Sequence, residues 1–572
     1  MRISEKEQFH MDSIRPFAVP VPVTTMALRL ILILALTLFL EATLFPDLMG
    51  IRAVAGEAQA KAAAETITES VTEATPEGVS EKAGEAVSEQ ATEKPAAASV
   101  PGLDSDSDPI ILRVCNWEEY LDFGDWDEPI DLESGDIIGI NHMKDDFEEW
   151  YLETYGREVK VAYSAFGTNE DLYNMLTLGD EYDVVCPSEY MFMKLMVEDK
   201  LEPFSDAFFD ETDEYNYYTK GLSPYIKKIF DEHEVNGEPW SKYAAGYMWG
   251  ITGYVYNAEA LSREEVSSWK MLADPAYYRQ VTMKDNVRDA YFAAVGAIKS
   301  DLLTDPAFKA RPDYEQALEA EMNDVSDETI RQVQDFLQDV KDNAYSFETD
   351  AGKADLITGK VLANLQWSGD AVYTMDQAEE DSFTLDFAVP EEASNIYFDG
   401  WVMLKDGVGD DPARKHAAEA FINYVSRPDN VIRNMYYVGY TSVISGGEDD
   451  RIFEYADWSF GAEEDEEDTV EYSLDYFFSE DPDGEEYVLT VPRDSLTRQL
   501  GGQYPDREWI ARSSIMDYFD DATNEKINQM WIRVRCYNIK NVPVWVWVLV
   551  GVAVAALVVI WIRKRRRRKL YQ

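Results

Sequence analysis

Cysteine and histidine are scarce in this chain, with three and four residues among 572. Cys115, Cys186 and Cys536 are odd in number, far apart and without metal-ligand spacing, so they imply neither a disulfide framework nor a zinc site. Cys115 and Cys186 lie in apolar runs and are expected to be buried thiols. His10, His142, His233 and His416 are scattered, leaving no Cys/His or Ser/His/Asp constellation to read from spacing. Neither a metal nor an organic cofactor is expected. Basic residues are also few: 51 Lys and Arg stand against 110 Asp and Glu, a net charge of −59. That balance excludes nucleic acid as a natural partner, because phosphate binding needs a basic face. Setting aside the seven-charge basic run Arg563 to Lys569 leaves the remainder at −66. Such a surface repels anions and gathers cations, and most of its carboxylates serve only solubility.

Long apolar runs are confined to the two ends. Positive residues (Arg2, Lys6, Arg15, Arg29) precede the apolar run Leu30 to Leu40, which is short for a membrane span and suits a signal-peptide core. Ala53-Val54-Ala55 offers an A-x-A cleavage site far from that core, so residues 1–55 read as a signal peptide or an uncleaved signal anchor. Either way the following residues are expected outside the cytoplasm. No cysteine stands close behind the run, so a lipid-anchored mature N-terminus is not expected. Gly56 to Pro109 is rich in Ala, Glu, Thr and Ser and has no aromatics; it reads as a disordered spacer, with a fluctuating helix as the alternative. Near the other end, Val542 to Ile562 is an apolar run of 21 residues, long enough to cross a bilayer. The basic tail 563–572 follows at once and is expected in the cytoplasm. The expected product is a tethered ectodomain.

Between the ends the composition supports a real core. IILRVCNW, from Ile110, predicts a buried strand; a helix over Met143 to Tyr155, strand EVKVAYSAF, helix NEDLYNML and strand YDVVCPS follow. Strands alternating with helices indicate a parallel α/β sheet, in which ligands sit beyond the carboxyl ends of the strands. Trp117, Ser188 and Tyr190 occupy such positions. The glycine-broken run YMWGITGYVYN suits a crossing between lobes, and VTMKDNVRDAYF predicts a strand leading into a helix. Asp285, Asn286 and Asp289 at that helix start also fit an ordinary N-cap with first-turn acids. Asp313 to Asp342 reads as an outer helical segment, KHAAEAFINYVSRPDN as an amphipathic helix stopped at Arg427-Pro428, Gly446 to Tyr487 as an acidic surface insertion, and INQMWIRVR as a closing helix.

One stretch concentrates the chemistry. Asn364 to Leu404 places Trp367, Tyr397 and Trp401 near Asp370 and Asp399, with Ser368, Gly369 and Gly400 between them. Small residues let backbone and ring approach a guest closely. Aromatic faces with carboxylates suit an organic cation, since rings attract it through their quadrupole and carboxylates neutralise it. A Trp- and Tyr-rich core with two solvated aspartates fits the same pattern.

In order and spacing, NWEEY (116–120), YDVVCPSEY (182–190), YMWGITGYVYN (247–257), DNVRDAYF (285–292), QWSGDAVY (366–373), SNIYFDGW (394–401), AFINYVSRPD (420–429) and YVGYTS (437–442) resemble the spermidine/putrescine-binding proteins of bacterial ABC transporters over Ile110 to Arg535. The resemblance implies an α/β, two-lobed periplasmic-binding-protein fold of type II with hinge crossovers, and no enzymatic activity. It implies lobe 1 over 110–249 and 400–445, and lobe 2 over 250–399 and 446–540. Trp117, Tyr120, Ser188 and Tyr190 would line one lobe, Asn286 and Asp289 would come from the other, and Trp367, Tyr397, Asp399 and Tyr440 would complete the cleft. Asn286 stands where the family often has an aspartate, and Tyr397 where a tryptophan is common. The implied partners are a polyamine, an ABC permease with its ATPase, and the membrane; a monomer is expected. Buried alkylammonium groups need carboxylate acceptors, and Asp289 and Asp399 could serve separated amines while Trp and Tyr rings cover the methylenes.

Other readings keep or change the class. The same fold could carry another organic cation or an iron chelate, though Fe³⁺ favours clustered Tyr with His or carboxylate. A polyamine sensor would need a separate output partner, because the tail is short. A surface glycosidase using paired carboxylates has only the abundance of acids in its favour.

Overall fold

The computed structural model describes residues 108–349, 351–380, 383–463 and 465–536. The expected signal segment 1–55, nearly all of the spacer, the span Val542 to Ile562 and the tail 563–572 lie outside them. Among the described residues no helix is long and apolar enough to cross a membrane.

Ten strands position the site: β1 (Ile110–Trp117), β2 (Val159–Phe166), β3 (Val184–Val185), β4 (Ala244–Asn257), β5 (Val281–Lys284), β6 (Ser346–Glu348), β7 (Ala363–Trp367), β8 (Leu385–Ala388), β9 (Ser394–Leu404) and β10 (Thr441–Ser442). Their order is β2-β1-β3-β9-β4-β7-β5-β6, with β8 and β10 pairing β4. The outer groups are parallel: β1 pairs β2 from Ile110↔Val159 to Trp117↔Phe166, and β5 pairs β6 and β7 in the same sense. The centre is antiparallel, β9 on β4 and β4 on β7. Strand–helix alternation therefore predicts the flanks correctly and misses the centre, where two long strands run in opposite directions. β4 pairs β9 through its first half and β7 and β8 through its second, so this one strand joins the two parallel groups.

Burial explains the long strands. Every β9 residue is buried, as is every β4 residue before Asn257. Strands covered on both faces read as continuous apolar runs rather than alternating ones. At one point the ladder is irregular: Asp399 faces Met248 while Gly400 faces Gly246, leaving Tyr247 as the extra residue of a bulge. A bulge re-aims side chains, and here the Tyr247 hydroxyl donates to the Tyr120 carbonyl at 2.7 Å.

The helices that matter are α1 (Met143–Tyr155), α2 (Asn169–Leu178), α3 (Glu189–Val197), α4 (Val287–Ile298), α5 (Ser368–Glu380), α6 (Pro412–Val425) and α7 (Pro428–Val438). Thr168 caps α2 by accepting from the Asp171 amide, and Asp411 caps α6, with Pro412 at its first position. Two expectations need correction. α6 is not amphipathic in place: Ala417 through Val425 are all buried, because α6 packs between other layers. The acidic segment 446–487 is not a solvated insertion throughout. It contains a helix (Arg451–Phe460), Thr469–Ser473 pairs Val488–Pro492, and Phe477 stacks on Trp249 with ring centroids 5.7 Å apart. Tyr476, Phe477 and Phe478 supply apolar area that the acids around them conceal in the sequence. Cys115 and Cys186 are buried free thiols, as expected.

Candidate ligand-binding site

β9 delivers Asp399 beside the end of β3. Ser188, just past that strand, forms an isolated antiparallel bridge with Asp399 and donates its hydroxyl to Oδ1 at 2.7 Å. Tyr120, three residues beyond β1, donates to Oδ2 at 2.8 Å. Two hydroxyls thus satisfy the carboxylate, which is only 5% exposed. Burial pushes its pKa up to about 6, against the downward pull of these two hydrogen bonds. The Tyr120 ring meets Tyr440 edge-on at 5.0 Å, and Tyr440 lies 6.3 Å from Tyr397. Glu189 at the start of α3 is also buried, and desolvation pushes it up to about 8, so it adds little negative charge near neutral pH.

A second arm comes from α4 and β7. Asn286 caps α4, its side-chain oxygen accepting from the amides of Arg288 (2.8 Å) and Asp289 (3.4 Å). The N-cap reading of the sequence therefore describes what this oxygen does. Asp289 accepts from Trp367 Nε1 at 3.1 Å. Desolvation pushes Asp289 up to about 6, opposed by the Trp367 bond and by Lys284 and Arg288. The Trp367 ring lies edge-on to Trp117 at 6.4 Å, which brings the carboxyl end of β7 to the carboxyl end of β1.

The remaining candidates divide. Tyr397 is held by its hydroxyl, 3.4 Å from Ser368 Oγ. Space there demands glycine: a Cβ on Gly250 would fall 2.3 Å from the Tyr397 hydroxyl, and one on Gly369 1.9 Å from the Tyr440 ring. Tyr190 does not reach Asp399 directly; Asn169 donates to both Tyr190 Oη (2.9 Å) and Ser188 Oγ (3.1 Å) and links them. The Arg288 guanidinium covers the Tyr190 ring at 4.2 Å. Two residues of the Asn364 to Leu404 stretch fall elsewhere. Trp401 is fully buried between Tyr247 and Phe421, two positions further along β9, and belongs to the core. Asp370 is not an open carboxylate: Lys284 (3.0 Å) and Lys353 (3.1 Å) already pair with it. Burial pushes Asp370 upward, but the two lysines prevail and hold it near 2.

Asn169, Lys284 and Arg288 were not legible as site neighbours. Arg288 lies within DNVRDAYF, next to Asp289, which is the local signal for it. Lys284 ends an apolar strand and meets its partner 86 positions away, which no local pattern announces.

The family model of bacterial extracellular solute-binding proteins matches residues 142–455, more than half of the chain. The chain belongs to that family. Among curated relatives of this solute-binding protein, the Putrescine-binding periplasmic protein PotF of Escherichia coli is 24% identical over 293 residues, 50% of this chain and 71% of the relative. The Spermidine/putrescine-binding periplasmic protein of the same species is 25% identical over 295 residues, 50% of this chain and 72% of the relative. The solved structure of a candidate spermidine/putrescine ABC transporter protein from Listeria monocytogenes superposes with a TM-score of 0.50 at 18% identity, over 75% of this chain and 99% of that one. The shared architecture is the α/β periplasmic-binding-protein fold. The family binds solutes and is not enzymatic.

Proposed function

We propose that this solute-binding protein captures a polyamine of the putrescine and spermidine class and delivers it to an ABC permease and its ATPase. One observation carries the reading. Asp399 is a buried carboxylate whose partners are two hydroxyls, set among the rings of Tyr120, Tyr397 and Tyr440, with no lysine or arginine pairing it among the described residues. A buried anion without a cation is costly, and a ligand ammonium supplies one with charge-assisted hydrogen bonds. Relatives named for putrescine and spermidine point the same way. In this reading Asp289 takes a second amine, Trp117 and Trp367 cover the methylenes and offer ring faces to the adjoining ammonium groups at roughly 0.5–2 kcal/mol per cation–π contact, and Ser188, Tyr190 and Asn286 hold the walls. The lobes are 110–249 with 400–445 and 250–399 with 446–540, closing about β4 and β9. The N-terminal segment exports the chain, and the span 542–562 tethers it, with residues 56–109 as a spacer that raises effective concentration at the permease.

Calorimetric titration of the detergent-solubilised full chain with putrescine, spermidine and spermine at physiological salt tests this. Saturable one-to-one binding near micromolar, about −8 kcal/mol, supports the receptor. Binding that vanishes with salt would reduce the acidity to a surface effect and remove the assignment.

A ferric chelate is the second reading, favoured by the gathering of three tyrosines at Asp399. Against it, burial drives the hydroxyls of Tyr120, Tyr397 and Tyr440 well above their ordinary pKa, so phenolate ligands are disfavoured. A visible charge-transfer band on adding ferric citrate would select this reading.

A further inference from the structure

Two acids stand in the first turn of α2, and they take different partners. Asp171 serves the cap: its amide donates to Thr168 Oγ1 at 3.1 Å, and the Thr168 hydroxyl donates to its carboxylate at 2.8 Å. Glu170, one position earlier, goes instead to Tyr190 and accepts from its hydroxyl at 3.3 Å. Asn169 donates to that same hydroxyl at 2.9 Å and to Ser188 Oγ at 3.1 Å. The first turn of α2 therefore fixes Ser188 and Tyr190 and brings a partly buried carboxylate up beside them.

Arg288 and Asp289 approach from α4. The Arg288 guanidinium lies 4.2 Å from the centroid of the Tyr190 ring and 3.7 Å from that of Phe519, and it donates to the Asp517 carbonyl. Held there, it forms no ion pair with Glu170 or Asp289 among the described residues. Burial pushes the Glu170 carboxyl up, Arg288 pulls it down, and the charge of Asp289 adds to the rise. Each carboxylate has one ring donor, the Tyr190 hydroxyl for Glu170 and the Trp367 indole for Asp289. Neither has a lysine or arginine paired to it among the described residues. Two such anions repel until a cation stands between them. A primary ammonium group has three donors, enough to bond both.

We propose that Glu170 is a further ligand-binding residue, which shares the second ammonium group of the ligand with Asp289 and makes the site select amines charged at two positions over monoamines. This rests on the polyamine reading above and adds to it a residue and a rule of selection.

The test compares the full chain with Glu170→Gln by calorimetry against putrescine and N-acetylputrescine at physiological salt. The acetylated amine keeps the chain and one ammonium group, which Asp399 takes. Glutamine keeps an oxygen for the Tyr190 hydroxyl and removes only the charge. The variant is expected to lose about tenfold in putrescine affinity, about 1.4 kcal/mol, and less than about twofold for N-acetylputrescine. Glu170→Asp, which restores the charge, should keep the putrescine preference within about threefold of wild type, and Glu170→Ala is read as Glu170→Gln should the latter not fold. An unchanged preference in the neutral variant overturns the proposal. So does an equal loss for both amines, the mark of a Glu170 that only positions Tyr190, or a Glu170→Asp variant as impaired as Glu170→Gln. A wild type that binds neither amine fails earlier, at the polyamine reading itself.

Discussion

Tyr120 and Asp399 are 279 positions apart in the chain, and their side chains meet at 2.8 Å. The contact ties the loop after β1 to the middle of β9, and with Ser188 it leaves the carboxylate hydrogen-bonded but uncompensated in charge. Asp399→Asn keeps the shape and removes the charge. Amine binding should weaken by about 1–3 kcal/mol, the value of a charge-assisted bond, while thermal stability of the empty protein holds or rises. Calorimetry with unchanged affinity in the folded variant would take Asp399 out of the site.

Ligand binding should depend on pH with a definite sign. Asp399 and Asp289 are both pushed up to about 6 by burial, above the carboxylate values of an unfolded chain. Acid therefore protonates both in the folded protein first, and a cationic ligand loses both acceptors. Affinity should fall between pH 7 and pH 5 by about tenfold for each carboxylate that must ionise. The empty protein responds oppositely: these two groups bind protons more readily folded than unfolded, so their contribution to stability improves as pH falls from 7 toward 4. Titrations and melting curves across that range check the two directions together.

Gly369→Ala should be destructive and Gly400→Ala mild. A Cβ at Gly369 would lie 1.9 Å from the Tyr440 ring, whereas at Gly400 its nearest neighbour is 3.4 Å away. Displacing Tyr440 disturbs its packing on Tyr120 and Tyr397, and overpacking of this kind costs about 1–3 kcal/mol. Urea denaturation should separate the two variants, with Gly400→Ala within about 0.5 kcal/mol of wild type.

Arg433→Met tests the fold apart from the ligand. Arg433 Nε donates to Asp122 at 2.8 Å, and its Nη1 and Nη2 hold Asp146 (2.8 Å) and the Asn141 carbonyl (2.9 Å). Asp122 is fully buried, so removing its cation should cost about 3–5 kcal/mol. A loss under 1 kcal/mol in urea would mean that the Gly124 and Trp126 donors suffice for Asp122.

The sequence alone determined the helix Met143–Tyr155, the buried strand at Ile110, the N-cap at Asn286 and the concentration of aromatic and acidic residues around Asp399. Each rests on local chemistry: periodicity, a capping side chain, or residues within a few positions of one another. Motif order along the chain was enough for the family, because order survives where identity is low. What only the tertiary structure decided is which carboxylates are free. Asp370 and Asp399 look alike in the sequence, yet one is neutralised by Lys284 and Lys353 and the other is held by hydroxyls alone. Trp401 left the site for the core, and the acidic segment after Gly446 proved to carry buried aromatics. Those outcomes depend on partners tens to hundreds of residues away. A carboxylate's role is set by the charges and solvent around it, and packing alone chooses them.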